Sequence, residues 1–336
     1  MKRIKITINK IRNKMIKKLI NQSLPKREAI IIVDDYIEGE LLGKITHGLL
    51  AFAKVLDSVD EIKNNRWQIK KNSHAYAFID GGGYFGQVVA EKAIKLALIK
   101  AKKNGIAMVG VNNIRAFLRP GTQAEKLAKN NLIGIVWING GASAVAPYGG
   151  VDAIFGTNPI GISIPTNNEP ITLDMATSER AWGEVRVAEL FGYSLPEDIF
   201  FDKKGRFTRK PELADAVLAF GGYKGAALNM IFEIFTGSLV GSNMASGYSL
   251  IKSSGDDYQK YYRGALFVAI DPSKFIDIKK FKEANTKLVK NVKKSRRRKG
   301  TREILIPGER AKKNKDKILK RGYFEIDKRI YKKIFG

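Results

Sequence analysis

Residues 154–178 decide the fold, and they read Ile154-Phe155-Gly156-Thr157-Asn158-Pro159-Ile160-Gly161-Ile162-Ser163-Ile164-Pro165, then Thr166-Asn167-Asn168-Glu169-Pro170, then Ile171-Thr172-Leu173-Asp174-Met175-Ala176-Thr177-Ser178. The two apolar runs and the turn-rich segment between them predict a β-hairpin. After the second run, Asp174 is followed by the hydroxyls of Thr177 and Ser178. Such a strand end can donate hydrogen bonds to a phosphate and offers a carboxylate for acid–base chemistry. The same residues also fit the N-cap of a helix that starts at Glu179, so both interpretations stay open.

The composition bounds the class of protein. With 336 residues, of which 44% are hydrophobic, the chain can bury a large core as one or two domains. The absence of cysteine excludes disulfides, thiolate nucleophiles and cysteine-ligated metal centres. Only His47 and His74 are present, so we expect no metal site. No apolar run approaches the about 20 residues that span a bilayer, and no signal-peptide core is found, so we expect a cytoplasmic protein without membrane contact.

The formal net charge is +27, and basic residues cluster in residues 2–27 and 293–299. Such clusters attract phosphates without sequence specificity. No helix-turn-helix, zinc-finger or aromatic RNA-binding pattern accompanies them, so we expect no specific nucleic-acid partner. Residues 6–22 form a basic amphipathic pattern that indicates a helix, with a membrane-surface helix or a transit peptide as alternatives.

Two further helical patterns follow this first one, and His47 lies between them. One starts at Pro25 and predicts a helix that packs against the first; the other begins after Thr46-His47-Gly48. A histidine at a helix entrance can be accessible and titrate near neutral pH. It can equally serve as a structural cap, so the residues alone leave its catalytic role open.

A glycine pattern at residues 81–86 matches G-x-G-x-x-G between a predicted strand at 75–80 and a helix. This match indicates a dinucleotide-binding Rossmann unit. However, the next predicted strand ends in Asn112-Asn113, where a Rossmann domain would carry an acid for the ribose. The fingerprint is therefore weak.

The remaining pattern predicts alternating helices and strands. Lys224 precedes an apolar helix, which favours anion binding at its N-terminus, although a solvated lysine is the commoner case. The predicted elements are a helix opened by the capping box Thr122-Gln123-Ala124-Glu125, a strand at 132–138, a helix at 179–190, a helix from Pro211 to near Phe220, a buried helix at 226–239, a strand at 265–270, and helices at 275–289, up to Lys320 and from Asp327.

Seven motifs occur in an order that resembles the malate/L-lactate dehydrogenase family, which also holds L-sulfolactate, ureidoglycolate and diketogulonate oxidoreductases and cyclic-imine reductases. The resemblance covers nearly the whole chain from about residue 5. The motifs are Thr46-His47-Gly48, Asp80-Gly81 with Gly86-Gln87, Pro147-Tyr148-Gly149-Gly150, Gly156-Thr157-Asn158-Pro159, Asp174-Met175-Ala176-Thr177-Ser178, Gly221-Gly222-Tyr223-Lys224-Gly225 and Pro307-Gly308-Glu309.

The resemblance implies an α/β fold that is not Rossmann: a mixed, largely antiparallel sheet with an N-terminal helical part. It divides the chain into a helical part at 1–60, a catalytic and cofactor-binding domain at 61–300, and a C-terminal segment at 301–336 that returns to the N-terminal part. It also implies homodimers that bind NADH or NADPH, with NAD and NADP equally open.

The resemblance further implies an NAD(P)H-dependent oxidoreductase acting on a small 2-oxo or 2-hydroxy acid, a related carbonyl or a cyclic imine. In this interpretation His47 is the general acid, Asp174 its carboxylate partner, and Thr46 a hydrogen-bond partner of the substrate oxygen. The implied cofactor contacts are Asp174, Met175, Ala176, Thr177, Ser178, Lys224, Gly225, Gly308, Glu309 and Arg310.

This chain departs from the family pattern at two positions. Ala51 stands where members usually carry an arginine that pairs with the substrate carboxylate, and Ala116 stands where they carry a second histidine. Arg115 is the candidate replacement cation, because it adjoins the lost histidine. The departures also leave open a catalytically altered member that acts as a cofactor-binding or assembly protein.

Overall fold

The computed structural model describes residues 3–245 and 263–336. They fold into two compact units: one contains the described residues up to Arg66 and from Lys287 to Gly336, and the other those within Trp67–Thr286. The helices are α1 (Ile8–Asn21), α2 (Lys26–Leu41), α3 (Leu49–Ile62), α4 (Gly86–Asn104), α5 (Pro120–Ala128), α6 (Gly183–Phe191), α7 (Tyr223–Thr236), α8 (Ile278–Lys294), α9 (Glu309–Arg321) and α10 (Lys328–Phe335). The strands are β1 (Arg3–Thr7), β2 (Gln68–Asn72), β3 (Tyr76–Tyr84), β4 (Ile106–Ile114), β5 (Ile133–Ile138), β6 (Ile160–Ile164), β7 (Ile171–Met175), β8 (Phe200–Phe201), β9 (Ala216–Val217), β10 (Arg263–Ile270) and β11 (Tyr323–Asp327).

The smaller unit is built on the three predicted N-terminal helices. Ile11, Met15 and Leu19 recur on one face of α1 and are fully buried, because this face packs on α2 as predicted. Before α1 and α10 the chain forms β1 and β11, which pair antiparallel and were not predicted. This pairing joins the two ends of the chain in a single unit.

The larger unit contains a seven-stranded sheet in the order β2-β3-β4-β10-β5-β6-β7. Among the described strands, β3 and β4 are parallel neighbours, whereas every other pair in this sheet is antiparallel. The predicted hairpin at 154–178 is confirmed as β6 and β7. The mixed, largely antiparallel sheet is likewise confirmed, and the Rossmann alternative is wrong.

The glycines at 81–86 serve packing in this fold. Strand β3 continues through Gly81 to Tyr84, and α4 begins at Gly86. A Cβ atom on Gly81 would overlap the side chain of Ile114, and one on Gly86 would overlap the carbonyl oxygen of Arg115. The glycines therefore allow β3 and α4 to approach the end of β4.

The ends of several strands meet at one edge of the sheet. Register places the last residues of β4 and β5 beside the first residues of β10, and the last residues of β5 and β7 beside the first of β6. The segments that follow β4, β5 and β7, and the one that precedes β6, therefore meet at this edge.

Helix α5 makes an unusually close contact with the hairpin. A Cβ atom on Gly161 of β6 would overlap the backbone of Pro120 and Gly121, and one on Gly121 would overlap the side chain of Asp174. Because both positions are glycine, the N–H of Gly121 reaches Asp174 Oδ1 at 3.1 Å. The first turn of α5 is thus bound directly to β7.

This contact explains why the capping-box prediction is wrong. The helix begins at Pro120, two residues before Thr122. The side chain of its N-cap residue, Arg119, makes no capping hydrogen bond to the helix. Proline suits the first helical position because its φ is already helical and it has no N–H to satisfy. Asp174, from another strand, accepts the Gly121 N–H in place of a local cap.

Two other predicted helices differ from the structure. Residues 211–220 form a short 3₁₀ turn, Pro211–Leu213, and strand β9, whose fully buried Val217 packs in a core with Phe200. The helix predicted from Glu179 begins at Gly183 instead. Ser178 forms a β-bridge with Ala219, so its interpretation as a helix N-cap is wrong.

Helix α7 was predicted to be buried all round, and this is wrong. Its buried face carries Asn229 and Glu233 beside Phe232, while the apolar side chains of Leu228, Met230, Ile231 and Ile234 are exposed. Polar atoms on the buried face have partners there, which a periodicity of apolar residues does not reveal. Within the described ranges, no helix combines the length and apolarity needed to cross a membrane.

Gly161→Ala is expected to lower the free energy of unfolding by about 1–3 kcal/mol, because the added methyl group would overlap the start of α5. Gly149→Ala is the control, because its Cβ would meet no atom within 4 Å. Its φ of +83° alone should lower the free energy of unfolding by about 1 kcal/mol. Urea unfolding followed by circular dichroism compares them. A Gly161→Ala midpoint no lower than that of Gly149→Ala would show that the contact with α5 does not constrain the fold.

Candidate functional site

His47 ends a short 3₁₀ turn, Ile45–His47, directly before α3. Its ring is half-buried, and Nδ1 lies 2.7 Å from Thr46 Oγ1. When the ring is doubly protonated, Nδ1–H donates to this hydroxyl, and Nε2–H is the second donor of the ring. Thr46 therefore contacts the imidazole itself, which orients the ring.

The end of α2 supports this turn through two adjacent residues. A Cβ atom on Gly39 would overlap the carbonyl oxygen of His47, so the helix and the turn touch through backbone. Glu40 Oε2 accepts a hydrogen bond of 3.0 Å from the N–H of Leu49 at the start of α3. Burial raises the pKa of Glu40 above its ordinary value, while the bond from Leu49 acts in the opposite direction.

Gly308, Glu309 and Arg310 lie at the N-terminus of α9 in the same unit. Gly308 adopts φ +85°, and Arg310 is exposed. Glu309 accepts from Lys293 Nζ at 2.6 Å and from the N–H of Ile306 at 3.1 Å. Burial alone would raise the pKa of Glu309, but these bonds and two lysine charges hold it below its ordinary value. In this structure Glu309 fixes the entrance of its own helix.

The described contacts also connect α9 with the end of α2. Asn314 Nδ2 donates to the carbonyl oxygen of Leu41 at 2.9 Å, and Lys315 Nζ lies 2.7 Å from Glu38 Oε1. The helix carrying Gly308–Arg310 and the turn carrying His47 therefore both pack against the last turns of α2. The structure brings these two predicted groups into one neighbourhood.

In the larger unit, Asp174 is half-buried and faces the N-terminus of α5. Its Oδ1 accepts the Gly121 N–H, so the carboxylate lies where the positive end of the helix dipole favours negative charge. Met175 ends β7, and Ala176 follows it. The backbone N–H of Gly121 therefore fixes the orientation of the Asp174 carboxylate.

Thr177 and Ser178 leave the strand in a buried turn with different hydrogen bonding. Thr177 Oγ1 and its N–H both donate to the carbonyl oxygen of Thr157 at 2.9 Å. Ser178 is 5% exposed, and its buried Oγ has no hydrogen-bond partner among the described residues. A buried hydroxyl without a partner costs stability, which is consistent with a bound group that completes its bonding.

Lys224 and Gly225 lie at the start of α7, linked to the same turn. The N–H of Phe220 donates to the carbonyl oxygen of Thr177 at 3.0 Å. Gly225 is required because a Cβ would overlap the carbonyl oxygen of Phe220. Lys224 is exposed, with Nζ 5.9 Å from the centre of the Tyr223 ring. It is accessible to an anion.

Sequence reasoning missed a buried polar cluster behind this turn. Asn158, at φ +32°, donates through Nδ2 to Glu233 Oε2 and to Asn229 Oδ1, both at 2.5 Å. Burial raises the pKa of Glu233, against hydrogen bonds from Ala245, Asn158 and Gly156 that lower it. The signal in the sequence was Glu233, the single acidic residue of the predicted apolar helix at 226–239. Within the described part of the chain, no three metal-ligating side chains form a group suited to a metal ion.

Arg115 directly follows β4, and its N–H donates to the carbonyl oxygen of Tyr84 at 2.9 Å. The side chain is half-buried at the sheet edge where β7 ends. Within the larger unit, the structure thus places Arg115 at the same edge of the sheet as residues 174–178. Lys224 follows Phe220, whose N–H donates to Thr177. Arg263, which begins β10 opposite Ile114, was also missed.

Comparison with known proteins identifies relatives along the whole chain. A family model described as malate/L-lactate dehydrogenase matches residues 6–335. The malate/(S)-sulfolactate dehydrogenase of Methanothermus fervidus is 36% identical over 328 residues, which cover 96% of this chain and 94% of that protein. The Delta(1)-pyrroline-2-carboxylate/Delta(1)-piperideine-2-carboxylate reductase of Pseudomonas putida is 31% identical over 229 residues, covering 67% of this chain and 66% of that protein.

A solved structure shows the same fold. The sulfolactate dehydrogenase from Methanocaldococcus jannaschii superimposes with a TM-score of 0.87 at 32% identity, covering 98% of this chain and 95% of that chain. The fold and the family implied by the ordered motifs are therefore confirmed.

Glu40→Gln should remove a pH-dependent loss of stability. A raised pKa means that folded chains hold this proton more tightly than unfolded ones, so the contribution of Glu40 is full below about pH 4 and falls as the pH rises through the raised value. Glutamine keeps an oxygen for Leu49 without the charge. The free energy of unfolding of the wild type minus that of Glu40→Gln should therefore be smaller at pH 7.5 than at pH 4.5. Urea unfolding of both proteins at the two pH values measures this difference.

Glu40→Ala is the control, because it removes the bond to Leu49 at any pH and should lower stability at both. A constant difference between wild type and Glu40→Gln across the pH range would contradict the raised pKa.

Proposed function

Because this chain belongs to the malate/L-lactate dehydrogenase family, we propose that it is an NAD(P)H-dependent oxidoreductase that interconverts a small 2-oxo acid and its 2-hydroxy acid. A related carbonyl or a cyclic imine is the alternative substrate, since one relative is a cyclic-imine reductase. The observation that carries the proposal is the Thr46–His47 pair, a half-buried imidazole whose Nδ1 is held 2.7 Å from a hydroxyl.

His47 is proposed to move the proton. Reduction of a carbonyl leaves negative charge on its oxygen, and a donor whose pKa lies near the working pH neutralises that charge efficiently. With Nδ1–H bonded to Thr46, the doubly protonated ring presents Nε2–H to the substrate oxygen. Thr46 is therefore proposed as a positioning residue, in place of the direct substrate contact expected from the sequence.

Asp174 is proposed as the carboxylate that favours the charged form of His47, as the family resemblance implies. Arg115 is proposed to bind the carboxylate of the 2-oxo acid, because Ala51 cannot. A guanidinium binds a carboxylate through two parallel charged hydrogen bonds, which orients the substrate as well as retaining it.

The residues around the end of β7 fit a nicotinamide dinucleotide. Ser178 Oγ is buried without a partner in the described chain, and Lys224 is an exposed cation at a helix N-terminus. Hydroxyl, backbone N–H and ammonium groups are the partners that phosphates and riboses require. We propose that residues 174–178, Lys224, Gly225 and residues 308–310 hold this cofactor. When bound, it supplies or accepts the hydride.

We also propose that the protein is a homodimer, with α7 at its interface. Leu228, Met230, Ile231 and Ile234 form an apolar patch that is exposed in the single chain. Contiguous exposed apolar surface is typical of an interaction site, and a second copy is the partner that the family resemblance implies.

His47→Asn should lower kcat by about 10²–10⁴-fold with NADH or NADPH and a 2-oxo acid, because general acid catalysis contributes about this much. Absorbance at 340 nm measures turnover, and cofactor fluorescence measures binding, which should change little. His74→Asn, which alters an exposed histidine, is the matched control and should keep wild-type kcat.

Three results would contradict this prediction. Turnover that survives in His47→Asn would remove the assigned acid. Cofactor binding without turnover of any 2-oxo acid, carbonyl or cyclic imine would favour the cofactor-binding role, and no cofactor binding would favour an assembly protein.

Ile231→Lys should shift the molar mass in solution from dimer toward monomer, because a charge would be buried in the proposed interface. Sedimentation velocity measures the mass. Ile99→Lys, at a 54% exposed position on α4, is the control and should leave the mass unchanged. A wild-type monomer, or a dimer that tolerates Ile231→Lys, would overturn this interface.

A further inference from the structure

The positive charge of this chain is concentrated near its C-terminal end. Residues 287–336 contain 20 lysines and arginines and five aspartates and glutamates, so they contribute +15 of the formal net charge of +27. Residues 67–286, the sequence range of the larger unit, contain 26 basic and 20 acidic residues. A general enrichment in lysine would not produce this asymmetry. Such an asymmetry is typical of a segment that binds a polyanion.

Helix α9 presents a stripe of cations along one side. The stripe consists of Arg310, Lys313, Lys317 and Lys320. Their spacing of three, four and three residues places them on the same side of a helix, over a length of about 15 Å. All four side chains are exposed, whereas Lys315, on the opposite side, bonds to Glu38 of α2. Like charges at these spacings repel one another, and a row of anions would offset that repulsion.

The end of α8 carries a second stripe. Lys287, Lys290 and Lys294 are spaced by three and four residues, and all three are exposed. The run at residues 296–299, three arginines and a lysine, begins two residues after α8 ends. All four residues of this run are exposed as well. The cations of α8 are therefore continued by those of the segment that follows it.

The two helices meet where α9 begins. Lys293 Nζ, near the end of α8, lies 2.6 Å from Glu309 Oε1, and Lys313 Nζ lies 3.5 Å from the same oxygen. Glu309 thus joins the last turn of α8 to the first turns of α9. The two stripes and the run between them form one surface, which we call the basic face: Lys287, Lys290, Lys294, residues 296–299, Arg310, Lys313, Lys317 and Lys320.

The composition of the basic face favours nucleic acid over a membrane surface. A helix that binds a membrane surface buries an apolar side in the lipid. Helix α9 exposes one large apolar side chain, Leu319, and residues 296–299 contain none. The exposed apolar residues of α8, Leu288 and Val292, lie on a different side of that helix from its lysines.

Phosphate groups, in contrast, are bound by lysine and arginine without apolar contacts. A B-form duplex carries one negative charge about every 1.7 Å along its axis. The stripe on α9 alone is therefore long enough to meet several phosphates.

We propose that the basic face binds the phosphate backbone of duplex nucleic acid without sequence specificity. Phosphate contacts carry no sequence information, which agrees with a chain whose sequence contains no base-reading motif. This activity is separate from the proposed oxidoreductase function and does not depend on it.

The test measures the fluorescence anisotropy of a labelled 30-base-pair DNA duplex titrated with the full chain at several salt concentrations. The wild type should bind, and the logarithm of its association constant should fall with the logarithm of the salt concentration with a slope of about −5 or steeper. This slope corresponds to about six phosphate contacts.

Two sets of substitutions remove parts of the basic face at exposed positions outside the proposed catalytic and cofactor sites. The combination of Arg296→Gln, Arg298→Gln and Lys299→Gln should weaken duplex binding by about tenfold or more and make the slope shallower by about three. The pair Lys317→Gln and Lys320→Gln should make it shallower by about two.

The matched control removes three exposed lysines from the larger unit, through Lys203→Gln, Lys204→Gln and Lys210→Gln. It changes the net charge as much as the triple variant, but it should alter the slope by less than one. Circular dichroism checks the fold of each variant. Cofactor fluorescence should match the wild type in all of them, so it reports on the proposed function independently of duplex binding.

Three outcomes would overturn the basic face as a nucleic-acid surface. The first is the absence of duplex binding at 50 mM salt, and the second is an equal loss of binding in the control, which would show an effect of net charge alone. The third is binding to vesicles of phosphatidylcholine and phosphatidylserine in place of the duplex, which would assign the basic face to a membrane.

Discussion

The architecture of the larger unit depends on the close approach of α5 to the β6–β7 hairpin, which glycine permits on both sides. Gly161 and Gly121 bring the first turn of the helix into contact with the sheet, and the N–H of Gly121 then reaches Asp174. Side-chain atoms at either position would separate the two backbones. A hydrogen bond from backbone fixes the carboxylate more firmly than a flexible side chain could, because no rotamer entropy is spent on the donor. This contact also positions the turn that follows β7, which contains Thr177 and Ser178.

Buried carboxylates organise both units in a similar way. Glu40 accepts from the first N–H of α3, and Glu233 accepts from Asn158 and Ala245. Glu40 supports the turn that carries His47, and Glu233 supports the turn at residues 156–158, to which Thr177 is hydrogen-bonded. Burying a carboxylate costs free energy that hydrogen bonds only partly return. In exchange, these hydrogen bonds hold the adjoining segments in position.

Much of the fold followed from local pattern. The hairpin and α1 to α3 were predictable because their apolar periodicity is regular and their faces are buried as that periodicity requires. The start of α5 was not, because the N–H of Gly121 in its first turn is satisfied by Asp174, from a strand 53 residues away in the chain. The helix prediction for residues 211–220 was wrong for the same reason, because Val217 packs in a core with Phe200 of β8. Of the candidate site, His47 and residues 174–178 were found through ordered motifs. Glu40 and Glu233 were not, because their significance comes from burial and from distant partners such as Asn158.

The pairing of β1 with β11 has a consequence for how the chain is made. Residues 67–286 are contiguous in sequence, so this unit can form on the ribosome once they have emerged. The smaller unit needs Arg3–Thr7 and Tyr323–Asp327 together, and it therefore cannot be complete until residue 327 has been made. Until then, the apolar face of α1 lacks part of its final surroundings, and closing so long a loop carries an entropic cost. The turn that carries His47, the proposed proton donor, therefore belongs to the unit that is completed last.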